Sequence, residues 1–365
     1  MGNDFDEMEQ HSLALMEFCT EYLSQILEQY SATRLDIKTE FSVDTSINAK
    51  SVLNSGKYKV ILNVGAYVAI NQFYEQRFFG DDTYYYQKMT GESDYHYELA
   101  EYYFKLMRDI TLLTLIFHEC GHIYSGHLDY ISTCKATATS AIEQVFLNAD
   151  NISLLTCSPL RHQALEWNAD DFSATRVVET IFGTQYWSVA NLPCTLSFTQ
   201  LFWVVANATL ASYCLMGSKR ESEDLRHGAH LPAKFRALAF LCTAEKKLQK
   251  WCGSNDITPP MIEAAIAVAR ENAEIYDINY KALLSAEEKL HYDLVEYELL
   301  VKLPVALINF QHLQCITPEM ILHTMVRLYD AMSLEERMLF EKKVEAKGKH
   351  FPIDQLRYLA NYIVD

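Results

Sequence analysis

A short stretch of sequence, residues 114–127, concentrates ionisable side chains in apolar surroundings. It reads TLIFHECGHIYSGH and holds His118, Glu119, His122 and His127. Residues i and i+4 of an α-helix lie on one face a turn apart, so the histidines of the HECGH segment, His118 and His122, can present ring nitrogens to one ion. Zinc accepts imidazole nitrogen at about 2.0–2.1 Å, which this spacing can supply. The segment therefore predicts a metal site.

Glu119 follows the first predicted ligand, about 100° round the helix by the 3.6-residue period. From there its carboxylate can reach a water at the metal without binding the metal itself. This arrangement predicts a general base for a hydrolytic water. The competing interpretation is an accidental HExxH in a helical protein without metal. The apolar run TLLTLIF before the motif argues against chance, and Gly121, a poor helix former, predicts close packing of the helix beneath a sheet.

A zinc hydrolase needs a third protein ligand and an open fourth position. Metzincin spacing would place a histidine ten residues after His118, where the chain has Leu128. His127 would lie about 180° from His118 on a continuing helix, so we expect it to be structural or capping. Glu166, in ALEWNADDFSA, is the best candidate, with Asp170 on the same helical face as the acceptor for a ligand histidine. The alternative for this helix is an amphipathic surface with solvated acids.

The elements that must position these residues are mostly helical. Half of the residues are hydrophobic, while 12 glycines and 8 prolines in 365 residues are few, which is typical of helices with few tight turns. β-branched residues predict a strand over 59–64 that runs into a helix ending near Phe79, and residues 35–48 predict a strand or an extended loop. Helical periodicity covers 5–31, 98–124, 161–182, 196–216 and 232–251, with five more helices between 259 and 363.

We therefore predict an α+β fold, mostly α with a small β-sheet. Residues 1–253 form the domain with the metal site and an N-terminal helix. A boundary at SNDITPP separates them from residues 254–365, a helical C-terminal region that regulates the site or recognises the substrate.

The charge and the cysteine content limit which partners and which cellular compartment the sequence predicts. The net charge of −17 argues against nucleic acid and anionic membranes as partners. Nine widely spaced cysteines without a CxxC pair are typical of free thiols in the cytoplasm, and the acidic N-terminus has no signal peptide. The uncharged segment 196–216 is long enough to span a membrane, but Gln200 and Asn207 favour a buried core helix.

The motifs also carry a family resemblance. HECGHxxxGH at 118–127, followed by ExxADxxxA at 166–174, resembles the gluzincin peptidases, in the broad group with HtpX and CAAX-prenyl proteases. It is similar to the phage-exclusion Lit peptidases as well. Their third element, a His-Pro stretch followed by Arg, matches His230 and Arg236 in HLPAKFR, except that Leu231 separates the histidine from the proline.

The resemblance implies a zincin-like core with one Zn²⁺ per chain. In such a core His230 or Arg236 would donate to the developing oxyanion. The alternative for HLPAKFR is a helix N-terminus whose arginine pairs with an acid. Gluzincin-like folds also bind the substrate backbone along a sheet edge, so the strand at 59–64 is either that edge or an interior strand.

The expected function is a soluble, cytoplasmic zinc endopeptidase that cuts one protein target, in phage exclusion or stress defence. An unregulated cytoplasmic protease would harm its host, so we expect a latent enzyme, with an activator or inhibitor protein as a further partner. Two alternatives remain. One is a regulatory sensor of the ImmA type, whose ExxAxxFA pattern is similar to residues 166–173 and which keeps the zinc fold without general proteolysis. The other is a helical interaction protein without metal.

Overall fold

The computed structural model of the chain describes residues 2–28, 35–80, 86–87, 93–128, 159–183, 196–217, 233–250 and 257–269, with the single residues 338 and 342. The elements are α1 (Gly2–Glu28), β1 (Ile37–Ser42), β2 (Ala49–Asn54), β3 (Lys57–Asn63), α2 (Val64–Phe78), α3 (Tyr97–Tyr124), α4 (Pro159–Phe182), α5 (Phe198–Gly217), α6 (Ala233–Gln249) and α7 (Pro259–Ala269). The predicted fold class, α+β with mostly helix and a small sheet, is confirmed.

Helix α3 lies at the centre of the protein. Every residue from Asp109 to Gly121 is buried, which is the pattern of a helix that is enclosed on all sides. Helices α1, α2, α4 and α5 pack against it, and so do strands β2 and β3. The ionisable residues of the HECGH segment therefore lie inside the core rather than on a solvated face.

Within the described part of the chain, the sheet has three strands in the order β1-β3-β2. β1 runs parallel to β3, with Ile37 opposite Tyr58, and β2 runs antiparallel to β3. Ser55 and Gly56, with φ of 51° and 75°, form the two-residue turn between β2 and β3, because positive φ at both positions matches the twist of a hairpin. β3 is therefore the interior strand, and the edges are β1 and β2.

Helix α5 contains the apolar segment that the sequence leaves open between a core helix and a membrane span. Among the described residues, Phe198–Leu215 is the segment long and apolar enough to cross a membrane, and 56% of it is buried inside the protein. The helix packs on α3 and α6. The amide of Asn207 donates to the Trp203 carbonyl at 2.8 Å. The apolar side chains and this amide thus find partners within the protein.

The predicted division into 1–253 and 254–365 falls largely outside the described residues. Residues 251–256, at the predicted boundary, are among those not described, and of the C-terminal region the structure describes α7 and two single residues. The two-domain organisation and the role of the C-terminal region stay predictions.

Candidate metal centre

The site forms where α3 crosses α4, and Gly121 permits the close crossing. A Cβ at Gly121 would lie 3.0 Å from Ala169 Cα and 3.1 Å from the Ala169 carbonyl oxygen. Ala169 stands between Glu166 and Asp170, so the crossing brings both carboxylates against the HECGH segment. The sequence predicts packing of Gly121 beneath a sheet; in the structure its packing partner is helix α4.

Gly121→Ala is expected to loosen the crossing. The contacts are with backbone atoms of another helix, so no side-chain rotation relieves them, and α4 must move by a few tenths of an ångström. Overpacking costs about 1–3 kcal/mol, partly offset by the helix propensity of alanine, about 1 kcal/mol. Urea unfolding should show a net loss of stability, and zinc affinity should fall with it. A variant as stable as wild type, with unchanged zinc affinity, would show that the crossing tolerates a methyl group.

The three predicted metal ligands converge at this crossing. His118 Nε2 lies 3.0 Å from Glu166 Oε2 and 3.2 Å from His122 Nε2, and His122 Nε2 lies 3.5 Å from Glu166 Oε1. Two ligand atoms at about 2.0–2.1 Å from a tetrahedral zinc ion are about 3.3 Å apart. The three side chains therefore have the donor types and the separations that one face of such a site requires, and they could hold a metal ion.

Asp170 anchors the first of these histidines. Its Oδ1 lies 2.8 Å from His118 Nδ1 and accepts a hydrogen bond from Arg236 Nη2 at 2.7 Å, while its Oδ2 accepts one from Arg236 Nε at 2.6 Å. Burial would raise the pKa of Asp170, but Arg236 and His118 lower it to about 2. The carboxylate is therefore ionised and accepts a hydrogen bond from His118 Nδ1–H, which leaves Nε2 directed at the other two predicted ligands.

Two carboxylates determine the protonation of His118. Burial would lower the pKa of His118, but Asp170 and Glu166 raise it to about 10. Without metal, a proton on Nε2 therefore bridges His118 to Glu166. Metal binding displaces protons from its ligands, so this proton would have to leave if a metal ion bound.

Arg236 lies behind the ligands rather than among them. Its Nε and Nη2 are used by Asp170, and its guanidinium stacks over the Tyr213 ring with Cζ 4.3 Å from the ring centre. α6 begins at Ala233, which agrees with the alternative of a helix N-terminus whose arginine pairs with an acid. His230 lies outside the described residues, so a role of His230 or Arg236 at the oxyanion stays a prediction.

Arg236→Met is expected to destabilise the protein by about 3–5 kcal/mol, because it leaves the buried Asp170 charge without its main partner. Urea unfolding of the metal-free protein measures the loss. The matched control is Lys105→Met, which breaks an exposed ion pair with Glu101 on α3 and should cost less than about 1 kcal/mol. Adding Asp170→Asn to Arg236→Met should recover part of the loss. Equal small losses for Arg236→Met and Lys105→Met would contradict the anchoring role.

Glu119, the predicted general base, has a side chain that no other described side chain holds. The residue is 7% exposed, and across the described parts of the chain its carboxylate has no hydrogen-bond or ion-pair partner. It is thus available to a water molecule, as a general base must be. The neighbouring Cys120 is buried, and burial together with the Glu119 charge raises the pKa of its thiol.

His127 contacts His122, a contact that the sequence does not predict. α3 ends at Tyr124, and Gly126 has a φ of +71°, which interrupts the helical path, whereas the sequence-based geometry assumes a continuing helix. His127 Nδ1 lies 2.9 Å from His122 Nδ1, and its Nε2 lies 3.1 Å from Asn168 Oδ1. Burial and His122 lower the pKa of His127 well below its ordinary value, so the ring is neutral. Gly126 is the missed signal, since glycine commonly ends a helix in this conformation.

No protein-family model, curated protein or solved structure matches this chain. The zincin-like core and the likeness of the motifs to gluzincin peptidases therefore remain predictions, and the function is inferred from the crossing of α3 and α4.

Proposed function

We propose that this chain is a zinc-dependent endopeptidase that hydrolyses a peptide bond in a specific protein target. One observation carries the proposal: His118 Nε2, His122 Nε2 and the two carboxylate oxygens of Glu166 lie 3.0–3.5 Å from one another across the crossing. Glu119, on the same helical turn as the two histidines, has a carboxylate that no described side chain engages. A structural metal site needs no such carboxylate, whereas a hydrolytic site needs a general base beside its metal.

The donor set favours zinc over magnesium and calcium. His118 and His122 offer imidazole nitrogen and Glu166 offers carboxylate oxygen, the His₂Glu combination typical of hydrolytic zinc with its fourth position open. Magnesium and calcium favour sites made wholly of oxygen. When bound, zinc would polarise the peptide carbonyl and lower the pKa of a water molecule in the fourth position.

The side chains of this protein would supply the rest of the reaction. The Glu119 carboxylate takes a proton from the attacking water, whose oxygen bonds to the carbonyl carbon. Glu119 then passes the proton to the leaving amide nitrogen as the carbon–nitrogen bond breaks, so that the two products are a carboxylic acid and an amine. Asp170 holds the His118 ring in place through Nδ1, and Arg236 holds Asp170. Both therefore act by positioning.

The motif likeness to Lit peptidases supports the narrower part of the proposal: one protein target in the cytoplasm, cut in phage exclusion or stress defence. An unregulated protease would harm its own cell, so we propose a latent enzyme that responds to an activator or inhibitor protein. Free degradation of unfolded casein by the purified chain would contradict latency.

The test compares protein N-termini generated by the wild-type chain and by Glu119→Gln. Each zinc-loaded protein is incubated with a bacterial proteome, with and without infecting phage, and new N-termini are identified by mass spectrometry. A small set of termini produced by wild type alone supports an endopeptidase. Identical sets for the two proteins, or none under either condition, would contradict the proposal. That outcome, with zinc retained, would favour the regulatory sensor.

A further inference from the structure

The two histidines of the predicted metal site, His118 and His122, are held by different chemical groups. The Nδ1 atom of His118, which points away from the other predicted ligands, faces the carboxylate of Asp170. The Nδ1 atom of His122 faces the imidazole of His127, with 2.9 Å between the two Nδ1 atoms. His127 is fully buried and Asn168 is 9% exposed, so their polar atoms rely on partners inside the protein.

Hydrogen counting gives this contact a direction. A hydrogen bond between the two Nδ1 atoms requires a proton on one of them and a lone pair on the other. Asn168 Oδ1 only accepts, so His127 Nε2, at 3.1 Å, carries the proton of the neutral ring. His127 Nδ1 is then bare and accepts from His122 Nδ1. His122 Nε2 is left with its lone pair, directed at His118 and Glu166.

The opposite orientation of the Asn168 amide would reverse the direction of both hydrogen bonds, from Asn168 to His127 and from His127 to His122. Its NH₂ group would donate to His127 Nε2, and His127 Nδ1 would donate to His122 Nδ1. His122 Nε2 would then carry a proton pointing at the other ligands and could not bind a metal ion. The amide oxygen of Asn168 therefore decides which nitrogen of His122 is available.

We propose that His127 is a positioning residue for the metal site: with Asn168, it sets the tautomer and the orientation of His122. This inference rests on the proposed zinc site. It adds a second route by which α4 controls the ligands on α3. Asp170 of α4 contacts His118 directly, whereas Asn168 of α4 acts on His122 through the turn after α3.

Zinc affinity of the full chain, measured by competition with a chromophoric chelator, tests the proposal. His127→Phe keeps a ring of similar size but removes the acceptor, and zinc affinity should fall about 10- to 100-fold, as for other outer partners of metal ligands. His127→Gln keeps an acceptor for His122 and a donor for Asn168, so it should retain most of the affinity. A merely structural role would not separate these two variants in this way.

Asn168 provides an independent test from the far end of the chain of hydrogen bonds. Asn168→Asp keeps an acceptor and should preserve zinc affinity, whereas Asn168→Leu removes it and should lower the affinity as His127→Phe does. If His127→Phe fails to fold, this pair decides. The matched control is His11→Phe, which removes a histidine that contacts Tyr67 and Asp109; it should leave zinc affinity unchanged.

The outcomes separate this inference from the proposed function. Wild-type affinity in both Asn168→Leu and His127→Phe would overturn the positioning role while leaving the zinc site intact. A wild-type chain that binds no zinc would overturn both the site and the inference. Loss of affinity in Asn168→Asp equal to that in Asn168→Leu would also overturn it, since the acceptor would then not be what matters.

Discussion

Glu166→Ala is expected to weaken zinc binding by more than about 100-fold, the upper end of the effect of removing an outer partner of a ligand. Glu166 offers the only described carboxylate within reach of both histidines, with its oxygens 3.0 Å from His118 Nε2 and 3.5 Å from His122 Nε2. Its removal leaves two imidazoles without the negative charge that offsets the charge of zinc. Chelator competition on the purified chain measures the affinity.

Asp171→Ala is the matched control for this variant. Asp171 lies on the same helix, one residue past Asp170, and accepts a hydrogen bond from Thr243 Oγ1 at 2.5 Å. The change removes a carboxylate from α4 without removing a predicted ligand, so zinc affinity should stay close to wild type. Equal affinity in Glu166→Ala and wild type would rule out Glu166 as the third ligand.

Glu119→Gln is expected to lower the rate of peptide cleavage by about 10²- to 10⁴-fold, the usual contribution of a general base. Glutamine has nearly the same size but cannot take the proton of the attacking water. Because Glu119 is not among the clustered ligands, zinc content and stability should stay at wild-type values. Cleavage kinetics on a peptide spanning the cut site, together with zinc content, measure both effects.

Glu101→Gln makes the same chemical change on the same helix and serves as the control. Glu101 is half exposed in an i,i+4 ion pair with Lys105, so its loss should leave the cleavage rate unchanged. Cleavage by Glu119→Gln at the rate of Glu101→Gln would show that another group acts as the base.

The parts of the fold and site that follow from local rules could be predicted from the sequence. The i,i+4 spacing alone pairs His118 with His122, and hydrophobic periodicity predicts a helix over 98–124 where the structure has α3 at Tyr97–Tyr124. Glu166 and Asp170 share a face for the same local reason. Local periodicity therefore predicted the helices and the residues that share a face on each of them.

The remaining features depend on contacts between distant segments. Strand β2 has only Ala49 fully buried, so it lacks the alternation that marks a strand. The contact of His127 with His122 depends on where α3 ends, and the contact of Arg236 with Asp170 depends on how α6 packs on α4. Such contacts are set by tertiary packing, which periodicity in one segment does not encode.

Zinc content of the wild-type chain is the most direct test of the central claim, that His118, His122 and Glu166 hold a zinc ion. The chain is purified without chelator, loaded with zinc and desalted, and the metal is counted by plasma mass spectrometry. About one zinc per chain is the predicted result, as for a site with one set of three ligands. A chain that retains no zinc after loading would contradict the claim and would leave a helical interaction protein with an accidental HExxH.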